Sequence, residues 1–212
     1  MIACIVFLSG SIVMSFEILG SRVLAPYFGN TVFVWGSLIS VFLSGLTMGY
    51  WIGGKLADWK ASYALFAGLL AIPGVMLCLF PLYSDVINDW VFDRQFEMRI
   101  EALIASLFLF FIPSIFLGAV SPYAIKLRVH DLAWLGTGVG NLYAISSLGS
   151  IFGTLLTTFY LITEIGVKKI IVWEGVILLL AAACLWIVDA KSVRMAIPVS
   201  PSAETPTDPV VD

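Results

Sequence analysis

The chain has 212 residues, 60% of them hydrophobic and only 12% charged, with a mean hydropathy of +1.03 and a net charge of −3. Soluble globular chains carry about 25% charged residues, so this composition excludes an ordinary water-soluble domain and points to a membrane protein with several spans. The small net charge and the lack of a basic patch exclude nucleic acid as a partner.

Charges cut the chain into long uncharged windows, and a helix needs about 20 apolar residues to cross the hydrocarbon core. The windows predict an all-α integral membrane protein with six transmembrane helices near 2–22, 32–54, 62–82, 102–121, 138–162 and 170–188. The first span lacks a basic n-region and a small-x-small cleavage site, so it reads as a retained span and not a signal peptide. Glu17 and Arg22 are the only charges before Lys55. Glu17 lies nine residues before Pro26, roughly 13 Å of helix at 1.5 Å per residue, which places it inside the hydrocarbon boundary. A central carboxylate costs about 2.5–3.5 kcal/mol to insert, and each Ile, Leu, Val or Phe of the same span returns about 0.3–0.6 kcal/mol. Insertion is therefore favourable overall, and the local question is what Glu17 meets. Arg22 can snorkel to the interface. Glu17 is expected to face the bundle, with Asn141, serines or another helix as its contacts. Two readings stand: a proton- or cation-binding site, or a structural hydrogen-bond anchor.

The second span carries Gly45, Gly49 and Gly53 at a spacing of four; the fifth carries Gly149 and Gly153, with Gly136 and Gly140 before them and Ser146 and Ser150 among them. Small residues at this spacing let helix backbones approach closely. They suit ordinary bundle packing or, alternatively, a moving or self-associating interface. In 83–101, Asp85, Asp89, Asp93, Glu97 and Glu101 recur every fourth residue. On one helix they would form an acidic stripe, with Val86, Trp90, Val91 and Phe92 lying on the membrane as in an interfacial amphipathic helix. The stripe is either a solvated face or a docking surface for a cationic partner or ligand. His130, beside Asp131, reads as a solvated loop residue. Glu174 reads as an interfacial ion-pair partner of Lys168 and Lys169. Cys4, Cys78 and Cys184 sit in apolar runs and read as buried small hydrophobes. Residues 189–212, with four prolines, read as a flexible tail. No nucleophile–base pairing, metal-ligand spacing or phosphate loop stands out, so neither a cofactor nor a metal is expected and a catalytic role is disfavoured.

An even number of spans puts both termini on one side. Lys55, Lys60, Lys126, Arg128, Lys191 and Arg194 share that side, against Arg22, Arg94, Arg99, Lys168 and Lys169 on the other. This thin excess predicts cytoplasmic termini. The halves also echo each other: "VLAPYFGN" (Val23 to Asn30) closes the first span and "AVSPYAIK" (Ala119 to Lys126) the fourth. Three spans per half would give a 3+3 inverted repeat.

"SRVLAPYFGN", "VWGSLISVFLSGLTMGYWIGGKLAD", "GAVSPYAIKL" and "GVGNLYAISSLGSIFGTLLTTFYLI" resemble the membrane domain of bacterial spermidine-synthase-like membrane proteins. In those, a major-facilitator-like segment is often fused to a spermidine synthase domain. The resemblance runs from about Ser9 to Ile165 and implies a fold like half a major facilitator, in a bacterial inner membrane. "GGKLADWK" (Gly53 to Lys60), with Gly54, Asp58 and Lys60, resembles the cytoplasmic loop between spans two and three of major facilitators, without its later glycine and basic residues. Asp58 would there cap a helix or pair with a basic residue. The aminopropyltransferase-like domain of the fused relatives has no counterpart in the residues after Val188. Three functions are therefore expected in this order: a non-catalytic membrane subunit or scaffold that packs against other membrane proteins; a half-transporter working as a homodimer on a small solute, cations among the candidates; and the membrane anchor of a separate spermidine-synthase-like enzyme. Besides the lipid bilayer, the partners would be other membrane subunits or a second copy.

Overall fold

The computed structural model describes residues 1–128 and 135–195. Six helices are long and apolar enough to cross a membrane: α1 (Ile2–Phe28), α2 (Val32–Trp59), α3 (Tyr63–Asp93), α4 (Met98–Arg128), α5 (Leu135–Leu156) and α6 (Val167–Met195). α5 continues without a break through a π-helical turn, Thr157–Leu161, and a last α-helical turn, Ile162–Glu164. The protein is thus all-helical and has the build of a multi-pass integral membrane protein.

Local chemistry sets the joints. Gly29, with φ of 72°, ends α1 and its N–H donates to the carbonyl of Ala25. Thr31 and Ser62 cap α2 and α3, their hydroxyls accepting from the N–H groups of Val34 and Leu65, which satisfies amides that the first turn leaves open. Gln95, with φ of 50°, turns the chain between α3 and α4.

The helices outrun the predicted spans, because apolar windows measure the hydrocarbon core while backbone hydrogen bonding carries a helix on into the interface. Pro122 does not end its span: α4 continues to Arg128. Residues 83–93 are not a separate interfacial helix but the end of α3, whose inner face there buries Ser84, Asn88 and Val91. α6 runs through Met195, so the proposed tail starts as helix; its remainder, from 196 on, and His130 lie outside the described residues. Cys4 and Cys184 face outward, and only Cys78 is partly buried, so the expected burial fails for two of the three.

Each helix has one principal partner: α2 packs on α4, α3 on α6 and α1 on α5. Glycines make these contacts possible. A Cβ on Gly45 would lie 2.7 Å from the Cβ of Ser114, and one on Gly53 would lie 2.6 Å from the carbonyl oxygen of Ala119. Gly49 lies against the carbonyl of Ile115, while Gly149 and Gly153 lie against the carbonyls of Phe7 and Ser11 on α1. On α3 and α6, a Cβ on Gly175 would lie 2.7 Å from the carbonyl oxygen of Gly74. Gly45, Gly49, Gly53, Gly149 and Gly153 are therefore used inside the chain, whereas a Cβ on Gly136 or Gly140 would meet nothing within 4 Å. At the centre, Phe16 of α1 meets Phe42, Phe80 and Phe110 of α2, α3 and α4 at ring-centroid distances of 5.6, 5.7 and 5.1 Å, the edge-to-face range favoured by aromatic pairs.

Tyr123 ties α4 to the α2–α3 joint. Its ring is fully buried and stacks on Phe66 at 5.5 Å. Its hydroxyl donates to the carbonyl of Lys60 at 2.7 Å and accepts from the N–H of Ser62 at 3.0 Å. Tyr123→Phe keeps the ring and removes both bonds, so it is expected to cost about 1–2 kcal/mol, read as a lower thermal midpoint in detergent; an unchanged midpoint would contradict the tie.

Candidate functional site

α5 is the least embedded of the six helices. Along it, Gly136, Gly140, Tyr143, Ser147, Ser150, Thr154 and Thr158 follow at steps of three or four, so they share one face. Apart from Tyr143 the face consists of glycine and small hydroxyl residues, whereas Leu148, Ile151, Phe152 and Leu155, which would meet lipid acyl chains, occupy the neighbouring exposed face. Two clefts open along the polar face. The first, of about 130 Å³, has walls from four helices, with Ser9 and Gly10 of α1, Tyr50 of α2, Ser121 of α4, and Ser146 and Ser150 of α5. The second, of about 220 Å³, contains Ser21 and Arg22 of α1, Asn30, Trp35 of α2, and Thr158 of the π-helical turn. Trp35 Nε1 donates to Asn30 Oδ1 at 3.0 Å across the α1–α2 joint.

Glu17 lies between the clefts. It follows Gly10 by seven residues and Met14 by three, both in the wall of the first cleft, and precedes Ser21 of the second by four. It therefore shares their helix face without lining either cleft. It is half-buried and has no hydrogen-bond or ion-pair partner among the described residues. Arg22 is exposed at the groove's far end, also without an ion-pair partner among them. Asn141 is exposed on α5, about 120° round the helix from Ser147, six residues on, so it lies off the polar face. The structure thus places Glu17 on the α1 face between the clefts, Arg22 in the wall of the second, and Asn141 off the polar face.

The facilitator-like loop residues separate. Asp58 takes Lys126 Nζ at 2.8 Å, with both side chains well exposed, a pair worth about 0–1 kcal/mol. Lys60 ends α2, and its carbonyl serves Tyr123. A Cβ on Gly54 would meet nothing within 4 Å. The acidic stripe does not form, because the turn at Gln95 divides it between two helices. Asp85 pairs with Lys168 at 2.5 Å, Asp89 and Asp93 are exposed on α3, Glu97 pairs with Arg99 at 3.2 Å, and Glu101 is buried on α4.

Glu174 is not an interfacial ion-pair partner. Its side chain is buried, with the residue only 6% exposed, and Ser15 Oγ donates to its Oε1. Lys168 is occupied by Asp85. The spacing carried the signal: Lys168 and Lys169 precede Glu174 by six and five residues, neither of which shares its face as three or four would. Ser15 and Thr157, whose oxygens lie 2.6 Å apart, are uncharged and drew no attention in the sequence.

Comparison with family models, curated proteins and solved structures finds no match.

Proposed function

We propose that this chain is a non-catalytic membrane subunit whose grooved face is closed by a second membrane-embedded chain. The observation that carries this is the polar face of α5, exposed over a length that would otherwise lie against acyl chains. Backbone carbonyls of α1 and α5 accept from the Ser150 and Thr154 hydroxyls, but the exposed Ser147 and Thr158 hydroxyls and the Glu17 carboxyl have no such partner among the described residues; turned to hydrocarbon they would lose their water partners without replacement, so a protein surface is their favourable neighbour. The segments that resemble spermidine-synthase-like membrane proteins fall on α1, α2, α4 and α5, the four helices of the groove, which supports reading that resemblance as one of the groove.

A second reading is a transporter half, with the groove as one wall of a solute path between two six-helix units. It is favoured by the pattern of helix pairs. Exchanging the first three helices with the last three turns α1–α5 into α4–α2 and leaves α3–α6 unchanged, as a 3+3 inverted repeat and a fold like half a major facilitator require. Glu17 and Arg22 would then stand along the path. Cytoplasmic termini in a bacterial inner membrane accompany both readings.

The test is native mass together with cross-linking from Ser147→Cys, in a background with Cys4, Cys78 and Cys184 replaced by serine and Leu148→Cys as the outward-facing control. Cross-linking at 147 but not 148 to a different membrane protein supports the first reading; cross-linking to a second copy supports the transporter half. A monomer whose residue 147 reacts as freely as 148 with a lipid-phase reagent would sink both.

A further inference from the structure

Below the groove, three oxygen-bearing side chains from three helical segments meet inside the bundle. Ser15 comes from α1, Thr157 from the first position of the π-helical turn and Glu174 from α6. Ser15 and Thr157 are 3% and 1% exposed. With Glu174 ionised, Ser15 gives its one hydroxyl hydrogen to the carboxylate and Thr157 donates to Ser15. Both hydrogens then run toward the carboxylate, leaving unused lone pairs on Thr157 Oγ1 and on Glu174 Oε2. Oε2 is fully buried and has no hydrogen-bond partner. No Lys, Arg or His forms an ion pair with Glu174 among the described residues.

We propose that Glu174, Ser15 and Thr157 are the side-chain ligands of a site for a small, dehydrated monovalent cation of sodium size. The donors are hard oxygens, which suit such a cation; among the described residues no three His, Cys, Asp or Glu side chains gather as a transition metal would favour. One carboxylate matches one positive charge, whereas a divalent ion would leave a net charge buried in a low-dielectric interior. A proton on Oε2 would be a buried donor with no acceptor among the described residues, and a proton on Oε1, given to Ser15, would still leave Oε2 without a partner; a cation meets the vacant lone pairs of Oε2. Thr157 also lies where the backbone departs from α-helix. The N–H of Ile162 bonds to the carbonyl of Thr157, five residues back, and such insertions frequently mark functional sites. On ion entry the hydroxyl hydrogens turn away from the carboxylate and the three oxygens move apart to admit the ion. The site is separate from the groove and does not depend on which partner covers it.

The experiment uses the purified full chain in detergent, with saturable sodium-22 binding and thermal unfolding in sodium chloride against choline chloride at equal ionic strength, repeated at two pH values. Saturable binding is expected in the unaltered protein, with a midpoint that climbs with sodium concentration as for any ligand of the native state. Glu174→Gln and Ser15→Ala should weaken binding roughly tenfold or more, and Thr157→Val should weaken it as well; Glu164→Gln, an exposed carboxylate near the end of α5, should leave it unchanged. No saturable binding in the unaltered protein overturns the proposal even if Glu174→Gln fails to fold. So does stabilisation by choline equal to that by sodium, stabilisation that follows pH alone, or loss of binding in Glu164→Gln as complete as in Glu174→Gln.

Discussion

Gly49→Leu is expected to break the α2–α4 interface and cost about 3 kcal/mol or more, the upper end for overpacking a filled core. A side chain at Gly49 would run into the carbonyl of Ile115 and the backbone of Gly118 and Ala119, and backbone cannot turn aside as a flexible side chain can. Gly149→Leu should do the same to α1–α5, where Phe7 supplies the opposing backbone. The controls are Gly36→Ala and Gly54→Ala, since a Cβ at either position meets nothing within 4 Å; each should gain up to about 1 kcal/mol from helix propensity. Thermal unfolding in detergent reads the difference. If Gly49→Leu and Gly54→Ala melt together, close backbone approach is not what joins these helices.

Asn88→Leu is expected to have a large effect of opposite sign. Asn88 and Ser84 lie one turn apart on the buried face of α3, both fully buried. The amide oxygen and nitrogen of Asn88 and the hydroxyl of Ser84 all lack partners. Each buried unpaired group costs about 1–3 kcal/mol, and apolar replacement of similar size removes that cost. Asn88→Leu should therefore raise stability by about 1–3 kcal/mol, seen as a higher thermal midpoint. A lower midpoint would mean that the amide is satisfied in the membrane by a water or a ligand, and this account of α3 would fall.

The acidic residues between spans three and four show where reading by pattern stops. A step of four from Asp85 to Glu101 describes one helix only if one helix runs through it. The chain reverses at Gln95, whose positive φ no charge pattern announces, and Lys168, 83 positions from Asp85, claims the first member of the series. The two membrane glutamates make the same point. Glu17 drew notice by standing in a long charge-free stretch, and the fold leaves it half-buried on the α1 face between the clefts. Glu174 was masked by two nearby lysines, because chain proximity suggested a pair that helical direction forbids.

By itself the sequence determined the helical class, the six spans and the glycine-rich seams. Each of these rests on local quantities, namely apolar length against bilayer thickness and residue size at helical spacing, and those are the same in any fold the chain could adopt. Only the tertiary structure decided that α1 meets α5, α2 meets α4 and α3 meets α6. It likewise decided that the polar face of α5 stays open, and that Ser15, Thr157 and Glu174 converge although Ser15 is 142 and 159 residues from the other two. The reason is that a hydroxyl or a carboxyl acquires its role from the partners within about 3 Å, and in a bundle those partners come from other helices.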